Sequence, residues 1–111
     1  MFQKSDVLEA LRAHIGSMNG VHARDLVKEI TGGYSCPPLE RRLRQLITEL
    51  RLDGHHVCAH PETGYFMAAN EDELNQTCLF LYERAMTGLA QVSRMKKISL
   101  PDLRGQLRLP T

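Results

Sequence analysis

The sequence contains no tryptophan, and aromatic residues make up only 5% of its 111 positions, so any core must be mainly aliphatic. Cysteine is scarce too: Cys36, Cys58 and Cys78 are widely spaced and odd in number, which argues against a disulfide-stapled secreted domain. No apolar run approaches the roughly 18 residues of a membrane span. No secretory or transit pattern opens the chain. These absences together lead to the expectation of a reduced, cytoplasmic protein that does not enter a membrane. The formal net charge is only +1, without the strongly basic balance that announces a nucleic-acid partner by itself. Gly-rich phosphate loops, a His-Glu-x-x-His run and paired carboxylates isolated in a patterned pocket are all missing. Neither catalysis nor a cofactor is expected.

What is present reads as an ordinary soluble domain, with 42% hydrophobic and 24% charged residues. The length suits one domain, alone or with an appendage. Charge is unevenly placed. Between Tyr34 and Arg51 four arginines stand against Glu40 and Glu49, whereas Glu71-Asp72-Glu73 form an acidic block. Any electrostatic argument must rest on that distribution and not on the total.

The most informative stretch runs from Cys36 to Leu50. Leu39, Leu43, Leu46, Ile47 and Leu50 follow the spacing of one buried helix face. The opposite face carries Arg41, Arg44, Gln45 and Thr48, with Arg42 on the flank. Pro37 suits the first helical position, with Ser35 or Cys36 as cap, and Gly54 marks the end. Upstream, Ser5 is the expected cap of a first helix reaching Ile15, with Val7, Leu8 and Leu11 at helical spacing. Gly16 to Gly20 form a turn cluster, and Val21 offers a short strand. His22 to Ile30 predicts a second helix stopped by Gly32-Gly33. Downstream, His56 to Ala59 and Tyr65 to Ala68 are short strands joined by His60-Pro61-Glu62-Thr63-Gly64, a hairpin with a small tip. Asn70, with Glu73 in capping-box position, then opens a helix reaching about Lys97. Along it Leu74, Cys78, Leu81, Ala85, Gly88, Val92 and Met95 alternate steps of four and three, a heptad-like seam longer than a small domain needs. The expected class is therefore mainly α with a small β-hairpin (α+β). Its divisions are 1–69, a long helix over 70–97, and a Leu-rich tail over 98–111.

The runs Val21-His22-Ala23-Arg24-Asp25-Leu26, Arg42 to His55 and Gly64-Tyr65-Phe66 resemble the winged helix-turn-helix superfamily of DNA-binding proteins. The Gly-Tyr wing return followed by a long helix is also similar to small phage- and prophage-encoded proteins. The resemblance covers nearly half of the chain and bears on fold more than on activity. It implies a winged helix-turn-helix whose central helix enters a DNA groove. Arg pairs bidentately with guanine and Gln with adenine, while Thr reaches a phosphate or a thymine methyl. That makes Arg41, Arg44, Gln45 and Thr48 the main candidate contacts, with Arg42 and Ser35 beside them. Arg24 and Lys28 on the preceding helix are candidate backbone contacts, and His60 and Thr63 of the wing lie near DNA in this reading. One departure from the pattern matters. Pro37-Pro38 occupy the helix opening and remove two N–H groups that would otherwise face a phosphate.

His55, His56, Cys58 and His60 look at first like metal ligands, but no second cluster completes a site, and Cys58 reads better as a small core residue. The long helix has two compatible roles. Its first turns cover the core, and Leu81, Ala85, Gly88, Leu89, Val92 and Met95 pack against a twin. A symmetric homodimer presents two recognition helices, as palindromic sites require. The expectation is sequence-specific double-stranded DNA binding by a dimeric transcriptional regulator. The alternative is a winged helix used only as a protein-interaction module, which the near-neutral charge and the prolines favour.

Overall fold

The apolar spacing of the central segment sets the architecture. A computed structural model describes residues 1–97; the expected tail over 98–111 lies outside them. The element order is α1 (Lys4–Leu11), a single 3-10 turn (Ser17–Asn19), α2 (Ala23–Thr31), α3 (Pro37–Leu52), β1 (Val57–His60), β2 (Gly64–Met67) and α4 (Glu71–Lys96). The chain divides into two compact units, 1–77 and 78–111. The protein is mainly helical with one small antiparallel sheet, the α+β class its sequence predicts.

In the first unit α3 buries Leu43, Leu46, Ile47 and Leu50 against Val7 and Leu11 of α1 and Leu26 and Val27 of α2, with Val57 of β1 completing the cluster. Each such side chain contributes about 1.5–3 kcal/mol on burial, so this aliphatic group does the work that aromatics do elsewhere. Phe2 and Phe66 are the buried aromatics among the described residues. Cys58 is fully buried, and its thiol lies 3.7 Å from the Glu73 carbonyl.

Helix ends follow local chemistry. Cys36 takes extended geometry before Pro37-Pro38 open α3. At the far end the His55 N–H donates to the Leu50 carbonyl at 3.0 Å and the Gly54 N–H to that of Arg51 at 3.0 Å, closing the last turn. Helix α2 ends at Gly32, which is left-handed as expected. Helix α1 departs from its expected limits. Gln3, not Ser5, is the cap, its N–H donating to Asp6 Oδ2 at 2.8 Å. The helix stops at Leu11, and Ile15, expected on the buried face, is 52% exposed and forms an isolated bridge with Met67.

The hairpin pairs Val57 with Met67, Cys58 with Phe66, Ala59 with Tyr65 and His60 with Gly64. The other edge of β2 is also held. Val21 and Tyr65 exchange N–H···O bonds of 2.8 and 2.7 Å, and Met67 donates to the His14 carbonyl at 2.8 Å. The strand expected at Val21 is thus a single bridge.

Asn70 caps α4, its Oδ1 accepting from the Glu73 N–H at 2.9 Å. The Glu73 carboxylate reaches back to the Ala69 N–H at 2.8 Å and to the Ser17 N–H at 3.0 Å. These two backbone donors, Ala69 foremost, hold the carboxyl below its ordinary pKa against a smaller opposing effect of burial. Thr77 is buried, its hydroxyl accepting from the Ala59 N–H at 3.4 Å. The first turns of α4 therefore belong to the first unit. The described part of the second unit is the remainder of α4, with Leu79, Phe80, Leu81, Tyr82 and Met95 exposed. No described helix is long and apolar enough to cross a membrane.

Candidate nucleic-acid interface

Because Leu43, Leu46, Ile47 and Leu50 turn inward, the same 100° step turns Arg41, Arg44, Gln45 and Thr48 outward. All four are exposed, and together they form one contiguous face of α3. The nearby carboxylates flank this face: Glu40 and Glu49 are half-buried at its edges. Arg44 Nη2 stands 3.9 Å from Glu40 Oε1, and the Ser35 hydroxyl donates to Glu40 Oε2 at 3.4 Å. Glu40 is thus partly neutralised, and Ser35 is engaged at the helix opening. The Thr48 hydroxyl donates to the Arg44 carbonyl at 3.1 Å. It therefore offers a partner its methyl group and an acceptor oxygen, suited to a thymine methyl and not to a phosphate.

The remaining candidates scatter. Arg42 leaves the face altogether: its Nη2 points to Gln3 Oε1 at 3.5 Å, and its Nε is buried without a hydrogen-bond partner. Arg24 is exposed on α2 and Lys28 is half-buried on the same helix. His60 is exposed at the hairpin tip, where its Nδ1 accepts from the Glu62 N–H at 3.1 Å. Thr63 turns inward, its hydroxyl buried without a hydrogen-bond partner and its side chain against Gly20. Among the described residues, no three His, Cys, Asp or Glu side chains converge as a metal would require.

Three features escape the sequence reading. Leu52 is 82% exposed one turn beyond Thr48, on the arginine-bearing face. Its position at the same helical phase was the available signal. Tyr34, 63% exposed, stands just before the α3 opening. Hydrogen bonding to the Cys36 thiol, more than charge or burial, raises the pKa of its phenol. The hairpin tip is also anchored: His22 Nε2 donates to the Glu62 carbonyl at 3.1 Å, joining the hairpin to the start of α2. No sequence period signals that contact.

No protein-family model, no curated protein and no solved structure matches the chain.

Proposed function

We propose that this is a winged-helix protein that binds double-stranded DNA sequence-specifically through the exposed face of α3, as a cytoplasmic homodimer acting in transcription regulation. The single observation that carries the reading is the face itself. Arg41, Arg44, Gln45 and Thr48 are exposed together on a helix whose other side is the core. Support comes from the element order, in which α3 is followed at once by a two-stranded hairpin whose inner edge is held by Val21. Arg41 and Arg44 would grip phosphate or guanine, Gln45 would read adenine and Thr48 would contact a thymine methyl. Arg24 and the His60 tip are the outlying contacts.

The test is fluorescence anisotropy against duplex DNA over a salt series. Wild-type affinity should fall steeply with salt. Replacing Arg41 and Arg44 together by Ala should make the log–log slope shallower by about 1.8 per protomer, at 0.9 per lost phosphate contact. Circular dichroism should stay unchanged, since both side chains are exposed. An unchanged slope would remove the assignment.

A second reading, an interaction module without DNA binding, is favoured by the exposed Leu52 on the same face and the exposed Tyr34 just before the α3 opening. Absence of DNA binding even at low salt would select it.

A further inference from the structure

A solitary helix should not expose what the middle of α4 exposes. Leu79, Phe80, Leu81 and Tyr82 are consecutive, and all are between 39% and 63% exposed. Phe80 has partial cover from the Arg84 guanidinium, 5.7 Å from its ring centre. Leu74, Cys78, Leu81, Ala85, Gly88 and Val92 fall within a stripe roughly 80° wide at 100° per residue, and Leu79, Phe80 and Tyr82 lie outside it. Thr77, which packs on β1, points to one side of that stripe. The charges on α4 are polarised. Glu71, Asp72 and Glu73 occupy its first turn, and Arg94 and Lys96 its last. Glu71, Asp72, Arg94 and Lys96 are all exposed.

We propose that a second copy of this chain docks on this stripe with its α4 antiparallel. The proposal rests on the homodimer reading above and adds its orientation. Two observations select it. The first is charge. Parallel helices would bring acid to acid at one end and base to base at the other. Antiparallel helices bring the acidic end of each to the basic end of the other, with Glu71 on the flank of the stripe beside the partner's Lys96, and oppose the two macrodipoles. The second is side-chain volume. When the numbers of facing residues sum to 166, Leu81 meets Ala85, Cys78 meets Gly88 and Leu74 meets Val92. Ala85 and Gly88 then each meet a larger side chain, Leu81 and Cys78. Parallel pairing would instead stack Ala85 on Ala85 and Gly88 on Gly88, leaving two successive layers hollow. A Cβ at Gly88 would meet nothing within 4 Å, so no contact among the described residues accounts for this glycine.

The test uses the full chain with Cys36→Ser, which leaves Cys78 as the exposed thiol, Cys58 being buried. In antiparallel pairing the two Cys78 residues are offset by about 15 Å along the axis, ten residues at 1.5 Å each, beyond disulfide reach. Mild oxidation with glutathione disulfide should therefore leave this protein uncrosslinked. Adding Gly88→Cys should give a covalent dimer through Cys78 and position 88 of the other chain. Crosslinking of the parent through Cys78 alone would overturn the orientation while leaving a homodimer. A monomer in sedimentation velocity would overturn both the homodimer and its orientation.

Charge reversal supplies a second readout that does not depend on the new cysteine. Glu71→Lys should weaken dimerisation by about fivefold. Adding Lys96→Glu in the same chain should restore it, because the reversed ends again face opposite charge. A parallel dimer would show no such rescue, and its absence would overturn the orientation.

Discussion

His14 illustrates how one side chain ties together segments that the sequence leaves separate. Its Nδ1 donates to the Asn19 carbonyl at 2.8 Å and its Nε2 to Glu29 Oε1 at 2.8 Å, so one ring clasps the 3-10 turn and α2. Both nitrogens can donate only in the imidazolium form. Burial is the largest single influence and opposes that charge. The Glu29 hydrogen bond, the Asn19 carbonyl and the Glu29 charge outweigh it together, and the pKa is raised above its ordinary value. The sign of the linkage follows. A raised folded-state pKa contributes stability that is fully present below the ordinary imidazole pKa and lost as pH rises through the folded one. Glu29→Gln should accordingly lower stability by about 0.5–1 kcal/mol in mildly acidic buffer, and by much less in mildly alkaline buffer. Urea unfolding of both proteins on the two sides of neutrality measures the gap. A gap that stays constant or widens with pH would show that His14 is not held as the cation.

At the scale of elements, the hairpin is the part most dependent on one residue. Gly64 has a φ of 87°, and a Cβ there would collide with the Val21 carbonyl. That carbonyl accepts the bridge bond from Tyr65. Gly64→Ala should therefore cost at least about 2 kcal/mol, combining left-handed strain with loss of the second edge of β2. The expected sign is a lower urea midpoint with faster amide exchange at Tyr65 and Met67; an unchanged midpoint would mean that the hairpin does not need this close approach. The hairpin itself was legible, because Gly and Pro clusters interrupt a short alternating pattern. Helices α2 and α3 were legible for a related reason: each buries one face, and burial imposes a period. What could not be read were contacts that carry no period. Ile15 continues the apolar spacing of α1 yet bridges to Met67, so the pattern overshoots the helix. Glu73 has the signature of a local cap but also holds Ser17, 56 residues away. The arginine face was predicted from phase alone. Arg42, expected beside that face, turns instead to Gln3 ahead of α1, and Thr63, expected to face outward at the hairpin tip, packs against Gly20.

For the whole molecule, a proposed DNA face with two cations, Arg41 and Arg44, limits how DNA could be held. Few phosphates can be neutralised by one copy, so affinity in the proposed reading must come from two α3 faces acting on one duplex. Linking two weak sites raises overall affinity by roughly 10²–10⁴ without any new contact. Ala85→Glu isolates this coupling. Ala85 is exposed in the single chain, and Glu is nearly as good a helix former, so α4 should remain intact by circular dichroism. In the dimer the new carboxylate would face Leu81 of the other chain near the centre of the seam, desolvated and close to its own counterpart. The variant should sediment as a monomer and bind operator-length duplex at least about tenfold more weakly, although every α3 side chain is unchanged. If it sediments as a monomer with undiminished affinity, one α3 face suffices for binding. If it remains a dimer, α4 does not assemble the protein.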